Sequence, residues 1–428
     1  MTTAPKRHVA LITNEVAIAG IGLYCLAVVM GYGRFLFTAT LPDIMTELSL
    51  STAIAGWMAS INYIGYFIGA LIAMFVPQRL TWQMLMFWTM VSIVTTMMLV
   101  VPDMSLYTWY FIRLLAGIAS GVAMILSSSL VIQRLSRERL SVLSALHYAG
   151  IGVGISLSAL LTWWLLVLGY HFEVIWLVAG ISSLPLLWLL FGLRPADINT
   201  VVYEAKPKPS KERLMSASIG QVYSSFKRVL YRALVGHTKA IGLLSASYVL
   251  AGFGYITSAT FLPVMATQRL ATQSHVGLLI WLLVGIFAML SNPLWGALAK
   301  RVGEVNTLMG LTLLQAVGML LPLWSEGAFG LYANAVILGL TFVGMVSMTL
   351  NIIKNINPAY SNLLIGLATL AYALGQFVGP LVTVALAGQD DNFNAGLLAA
   401  ASGLLVGLVL IIGFRYLQKQ QLNELTSG

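Results

Sequence analysis

The chain has 428 residues, of which 59% are hydrophobic and only 9% are charged, and its formal net charge is +9. Soluble domains average about 25% charged residues, so this composition excludes a water-soluble globular protein and indicates an integral membrane protein. A single cysteine and five scattered histidines exclude a disulfide framework and argue against a metal centre. In a membrane protein, the basic excess indicates cytoplasmic loops, and we expect no nucleic-acid partner.

The hydropathy of the chain predicts twelve membrane spans, because a helix that crosses the hydrocarbon needs about 20 mostly apolar residues. The first span is too long for a signal-peptide core and lacks an Ala-x-Ala cleavage site, so we expect it to be retained. Proline, glycine and charged residues mark the breaks, for example Leu41-Pro42-Asp43 after span one. The predicted spans are 15–38, 52–76, 82–101, 105–131, 141–167, 172–192, 240–266, 275–298, 304–324, 328–352, 361–387 and 393–416.

The basic residues orient these spans. With the N-terminus in the cytoplasm, twenty of the 23 Lys and Arg fall on the cytoplasmic side. Arg269 falls outside, and Arg34 and Arg113 lie within spans. Because cytoplasmic loops carry the excess of Lys and Arg, we predict a multi-pass protein with both termini in the cytoplasm.

The longest stretch between spans, 193–239, divides the chain into an N-terminal half, 1–192, and a C-terminal half, 240–428. Its first part, around 203–211, has the composition of a solvated linker. In its second part, apolar residues recur at helical spacing between Lys227, Arg228 and Arg232, which predicts a basic amphipathic helix on the inner membrane surface. An ordinary inter-domain helix without a regulatory role is the alternative.

The two halves resemble repeats of each other. Gly31–Arg34 followed by Leu41-Pro42 matches Gly252–Tyr255 followed by Leu262-Pro263 at an offset of 221. A second set of matches joins spans five and eleven at an offset of 225, where His147, Gly150 and Gly154 correspond to Tyr372, Gly375 and Gly379. Two six-span halves in parallel repeat are typical of one large class of secondary transporters.

Three further motifs strengthen this interpretation. Arg113-x-x-x-Gly117-x-x-x-Gly121 resembles the Arg motif of the major facilitator superfamily. The stretch 296–303 resembles its cytoplasmic gating motif, with Lys300 where an Asp is expected and with Gly296, Arg301 and Gly303 in place. Gly375-x-x-x-Gly379-Pro380 resembles the antiporter motif, although it lies in span eleven.

The resemblance to the major facilitator superfamily covers essentially the whole chain. The stretch from Gly31 to Pro42 is similar to the YbfB/YjiJ-type bacterial branch. The resemblance implies an all-α membrane protein with 12 transmembrane helices in two pseudo-symmetric six-helix bundles. It further implies a monomer in the bacterial inner membrane.

The spans hold few ionisable residues. Arg34, Arg113 and His147 lie inside predicted spans, and no Asp or Glu lies in the middle of one. At about 1.5 Å of rise per residue, Arg34 lies about 10 Å from the outer end of span one, and Arg113 lies about 12 Å from the outer end of span four. A guanidinium matches carboxylate oxygens bidentately, so the pair predicts an anionic substrate. Alternatively, Arg113 braces helices or relays protons, and Arg34 reaches the outer interface.

His147 is the in-span group whose ordinary pKa lies nearest physiological pH, which favours a role in proton coupling. A histidine that only packs helices is the alternative, and Glu15 and Asp43 are peripheral carboxylates that could couple instead. Neutral polar and aromatic residues complete the predicted substrate site. They are Asn62, Tyr63, Tyr66, Tyr255, Asn334, Tyr372 and Gln376.

The leading hypothesis is a secondary active transporter that moves a small organic anion by alternating access, coupled to protons. A multidrug exporter is the second hypothesis, because 19 Met and 17 Phe, 17 Tyr and 11 Trp could build an adaptable apolar pocket. A membrane sensor that kept the transporter fold is the third. The chain has no Walker-type loop and no catalytic constellation, so we expect neither an enzyme nor a cofactor.

Overall fold

A computed structural model describes residues 14–99, 104–194, 219–270, 275–325, 327–388 and 392–427. Twelve long apolar helices run through these residues, which contain no strand, so the predicted all-α fold with twelve spans is confirmed. The helices are α1 (Glu15–Glu47), α2 (Thr52–Met74), α3 (Thr81–Met98), α4 (Leu106–Ile132), α5 (Leu140–Val167), α6 (Phe172–Leu193), α7 (Thr238–Arg269), α8 (Val276–Val302), α9 (Glu304–Trp324), α10 (Ala328–Ile356), α11 (Ser361–Ala387) and α12 (Asn394–Ser427).

Polar side chains cap several helices at the membrane surface. Asn14 Oδ1 accepts a hydrogen bond of 2.9 Å from the Val16 N–H at the start of α1. Ser51 and Ser105 cap the first turns of α2 and α4 in the same way. These bonds satisfy N–H groups that have no partner within the helix, and they fix where the helices start.

The end of α1 differs from its predicted position. The sequence predicts an end near residue 38, but the helix continues through Pro42 to Glu47. Proline removes a single backbone donor, and in the turn after it Thr46 Oγ1 donates to the Pro42 carbonyl at 2.9 Å. Neighbouring helices and polar side chains make proline tolerable in membrane helices.

The middle of α1 is a π-helix over Ala27–Phe35, and every residue in it is buried. The wider turn is visible at its end, where the Leu36 N–H donates to the Gly31 carbonyl five residues earlier. π-helices are rare, and those that occur are frequently at functional sites. This stretch carries Arg34, whereas its repeat partner in α7 is regular α-helix.

The helices pack as two halves, α1–α6 and α7–α12. Within them, α2 packs on α4, α1 on α5, α7 on α11 and α12, and α9 on α10 and α12. Between them, α5 packs on α8 and α2 on α11. The backbones of α5 and α8 come close together at Gly152 and Gly285. A Cβ atom added to Gly152 would lie only 2.6 Å from the Gly285 carbonyl oxygen. Small residues permit such contacts between membrane helices.

The linker contains a helix at Ile219–Leu234, close to where the periodicity predicts one. Its end rests on the C-terminal half, where Asn357 Nδ2 donates to the Ala233 carbonyl at 3.2 Å. The predicted solvated segment around 203–211 lies outside the described residues.

Candidate functional site

A cavity of about 520 Å³ lies between the two halves. Arg34 and Gln376 line its deep end, where Arg34 is only 2% exposed and Gln376 1% exposed. Arg137 and Lys354 line its other end and are exposed. The cavity therefore opens at the basic end of the bundle, which the sequence predicts to be cytoplasmic, and ends in the interior at Arg34.

The far side of Arg34 is closed by contacts between the halves. The Tyr63 hydroxyl on α2 lies 3.3 Å from Thr260 Oγ1 on α7. Two turns nearer the start of α2, Gly56 packs against Val384 of α11. A molecule in the cavity can therefore reach one side of the membrane in this conformation.

The Arg34 guanidinium sits among aromatic rings and one amide. Its Nη2 donates a hydrogen bond of 2.9 Å to Gln376 Oε1, and its Nε has no hydrogen-bond partner among the described residues. Its Cζ lies 4.7 Å from the centroid of the Tyr63 ring and 4.5 Å from that of Tyr66. Cation–π contacts compensate part of the cost of a buried charge, but no carboxylate of the described part of the chain pairs with Arg34.

Gln376 links Arg34 to the opposite half. Its Nε2 donates to the Tyr255 hydroxyl at 2.9 Å, while its Oε1 accepts from Arg34. Arg34 and Tyr255 hold corresponding positions in the sequence repeat, so the two repeats meet at one side chain. The orientation of the amide follows from this network, because Arg34 can only donate.

Four aromatic rings on α7, α10 and α11 form a stacked column in the wall of the cavity. Tyr255 lies 5.3 Å from Phe342 at an interplanar angle of 8°, and 5.6 Å from Tyr372 at 4°. Tyr372 in turn stacks on Tyr248 at 4.5 Å. We call Phe342, Tyr255, Tyr372 and Tyr248 the aromatic column, and all four line the cavity.

The charge of the cavity wall has one sign. Among the described residues that line it, the charged ones are Arg34, Arg137 and Lys354, and none is Asp or Glu. A cavity lined by charges of one sign concentrates ions of the other sign. The wall therefore suits an anion.

Comparison with known proteins decides the family. The profile of the family described as uncharacterised MFS-type transporter YbfB matches residues 26–227 and 228–412, nearly the whole chain. The chain belongs to the major facilitator superfamily. The match also confirms the similarity to the YbfB-type branch that the Gly31–Pro42 stretch indicates.

The proteins similar to this transporter include a curated relative and a solved structure. The uncharacterized MFS-type transporter YceJ of Bacillus subtilis (strain 168) is 24% identical over an alignment of 378 residues, and the alignment covers 86% of this chain and 88% of YceJ. A crystal structure of a variant of the peptide transporter POT, in complex with sulfate, superposes with a TM-score of 0.66 at 16% identity. It covers 91% of this chain and 94% of that one. At that identity, the superposition shows the shared fold alone.

The structure brings part of the predicted site together. Of the residues predicted to bind substrate, Arg34, Tyr66, Tyr255, Tyr372 and Gln376 line the cavity of the transporter.

Arg113 and Asn62 form a buried pair between α2 and α4. Asn62 Nδ2 donates to the Arg113 carbonyl at 2.9 Å, and Arg113 Nε donates to the Met58 carbonyl at 3.4 Å. The guanidinium carbon lies 4.2 Å from the centroid of the Phe37 ring. Neither residue lines the cavity. These contacts hold α4 against α2. Tyr63, whose ring lies below the Arg34 guanidinium, is also absent from the cavity wall.

Asn334 lies within the C-terminal half. Its Oδ1 accepts from Ser258 Oγ at 2.7 Å, and its Nδ2 donates to the Gly318 carbonyl at 2.7 Å. It therefore joins α10 to α7 and α9, and it does not line the cavity.

His147 is fully buried behind the cavity wall. Its Nε2 lies 3.0 Å from Ser128 Oγ on α4, and its ring packs against Gly22 of α1. The neighbouring Tyr148, whose ring centroid is 4.9 Å from that of His147, lines the cavity. His147 thus lies one side chain away from the cavity.

The gating-motif residues lie at the basic end of the bundle. Gly296 on α8 lines the cavity, whereas Lys300 and Arg301 end that helix and are exposed. Gly303 has a φ of 87°, in the left-handed region, and makes the turn between α8 and α9.

Sequence reasoning missed several residues that line the cavity. Tyr248 is seven residues before Tyr255, so both lie on one face of α7, and this spacing could have revealed it. Arg137 and Lys354 look like ordinary loop charges in the sequence. Phe342 and Tyr148 carry no sequence signal that separates them from the many aromatic residues facing lipid.

Proposed function

We propose that this transporter is a secondary active carrier of a small organic anion of the carboxylate type, which works by alternating access and is coupled to protons. The observation that supports it is Arg34, an almost fully buried cation at the deep end of a cavity whose described lining residues include no Asp or Glu. A carboxylate would supply the missing counter-charge and accept from the free Nε.

Alternating access is supported by where the halves touch. The cavity is open at the basic end, and α2 and α7 meet at the other end through Tyr63 and Thr260. In related transporter folds, the halves rock about a central site. The close approach of Gly152 and Gly285 gives the two halves a surface on which to rock.

His147 is the proposed proton site. It is buried, touches Ser128, and lies behind Tyr148 in the cavity wall.

We further propose that the protein lies in the bacterial inner membrane with both termini in the cytoplasm. Twenty basic residues on one side of the spans support this orientation.

A carrier of hydrophobic compounds is the second candidate. The observation that favours it is the apolar part of the wall, where the aromatic column faces a cavity also lined by Met30 and Met124. The absence of Asp and Glu among the described lining residues weighs against cationic drugs.

Flux into proteoliposomes tests the proposal. Radiolabelled benzoate, acetate and succinate are offered with and without an inward proton gradient, beside neutral benzamide and cationic benzylamine. We expect saturable flux of a carboxylate that the proton gradient accelerates. Saturable flux of benzylamine or benzamide without carboxylate flux would support the second candidate, and binding without any flux would indicate a sensor.

A further inference from the structure

The aromatic column and Arg34 together restrict both the charge of the substrate and the chemical nature of its uncharged part. We propose that the substrate is an aromatic monocarboxylate, whose carboxylate binds Arg34 and whose ring packs against the column. This inference rests on the proposed function, because it takes the anion at Arg34 as given.

The carboxylate end is fixed by the single deep cation. Arg34 is the charged residue at the buried end of the cavity, whereas Arg137 and Lys354 lie at the exposed end. A second carboxylate on a short dicarboxylate would lie among Tyr, Phe and Met side chains without a counter-charge. Burying an unpaired charge is costly, so the site favours one carboxylate over two.

The ring end is fixed by the geometry of the column. Tyr255 is stacked with Phe342 and with Tyr372, and Tyr372 is stacked with Tyr255 and with Tyr248. All four rings line the cavity, so a molecule in the cavity can pack against the column. Aromatic rings attract one another in offset-stacked or edge-to-face arrangements beyond what their buried area contributes, so the column favours a flat aromatic ring.

The opposite wall suits the same body. Met30 on α1 and Met124 on α4 line it, and thioether sulfur makes favourable contacts with aromatic rings. Tyr66 lies beside them, with its hydroxyl donating to Met124 Sδ at 3.1 Å. A saturated ring of similar size would gain hydrophobic contact, but it would gain neither the aromatic–aromatic nor the sulfur–aromatic interaction.

The test compares benzoate with cyclohexanecarboxylate, which has the same carboxylate on a bulkier, more hydrophobic ring. Equilibrium binding to the purified full chain in lipid nanodiscs is measured by calorimetry, together with acetate, succinate and benzamide. We expect benzoate to bind about 2- to 10-fold more tightly than cyclohexanecarboxylate, the range that aromatic pairs contribute. A hydrophobic site without ring recognition would give the reverse order.

Variants assign this preference to the column. Tyr372→Leu is expected to abolish the preference, and Tyr372→Phe is expected to keep it because the ring remains. Tyr416→Leu is the matched control, since Tyr416 is 63% exposed on α12.

The outcomes separate this inference from the proposed function. Equal or tighter binding of cyclohexanecarboxylate overturns the aromatic substrate and leaves the anion carrier standing. Binding of acetate or succinate without benzoate does the same. Binding of benzamide as tight as that of benzoate overturns both.

Discussion

Arg34 on α1 and Gln376 on α11 are joined by a hydrogen bond of 2.9 Å from Nη2 to Oε1, between two side chains that are almost fully buried. The bond links the N-terminal half to the C-terminal half at the deep end of the cavity. Gln376 thus fills, in this structure, part of the place that an anion would take on Arg34. An arriving carboxylate would compete with this bond.

Gln376→Glu tests that competition. A carboxylate at position 376 would pair with Arg34 and supply its counter-charge from within the protein. We expect benzoate affinity to fall by at least about tenfold, because the anion must displace an ion pair instead of an amide. Calorimetry measures the affinity, and Gln133→Glu at the exposed end of α4 is the matched control. Unchanged affinity would show that the anion binds elsewhere.

Gly152→Leu tests the contact on which the halves are proposed to rock. A side chain there would collide with the Gly285 carbonyl and hold α5 away from α8. We expect carboxylate flux to fall by about tenfold or more while the helices still form. Gly310→Leu is the control, because a Cβ at Gly310 on the exposed face of α9 meets no atom within 4 Å. Equal flux in both variants would contradict the proposed rocking surface.

His147→Gln tests proton coupling. The substitution removes a titratable group while an amide can still bond Ser128, which lies 3.0 Å from His147 Nε2. We expect exchange of labelled for unlabelled benzoate to persist, and accumulation driven by a proton gradient to be lost. His171→Gln, at a side chain 73% exposed, is the control. Gradient-driven accumulation that survives His147→Gln would place coupling elsewhere.

Arg137 and Lys354 are expected to attract the substrate into the cavity. Both line its exposed end, where salt screens charges beyond about 10 Å at 0.1 M ionic strength. The double variant Arg137→Gln, Lys354→Gln should lower kcat/KM for benzoate several-fold at low salt and little at high salt. Lys239→Gln, exposed at the start of α7 and outside the cavity wall, is the control. A defect of equal size at both salt concentrations would contradict electrostatic attraction.

The sequence was sufficient to predict the twelve spans, because a stretch of about 20 apolar residues identifies a membrane helix without reference to the rest of the chain. It was weaker at helix ends, as at Pro42, where one missing N–H does not end a helix held by its neighbours. It gave no sign of the π-helix at Ala27–Phe35, which depends on how α1 packs against the rest of the bundle.

The residues of the candidate site also differ in how well the sequence predicts them. Arg34 could be identified because a charge inside a span is costly and therefore rare. Depth alone could not separate Arg34 from Arg113, since the direction of each side chain around its helix decides which one lines the cavity. The aromatic column depends on contacts among three helices, α7, α10 and α11, which no spacing within one helix can show.

The central claim is that Arg34 binds the anion that this transporter moves. Uptake of radiolabelled benzoate into proteoliposomes, compared between the natural chain and Arg34→Gln, tests it most directly. Arg113→Gln serves as a second buried arginine outside the cavity wall. We predict that Arg34→Gln abolishes saturable uptake, and that Arg113→Gln lowers the thermal stability but keeps the KM for benzoate within about threefold. Saturable uptake with an unchanged KM in Arg34→Gln would contradict the claim.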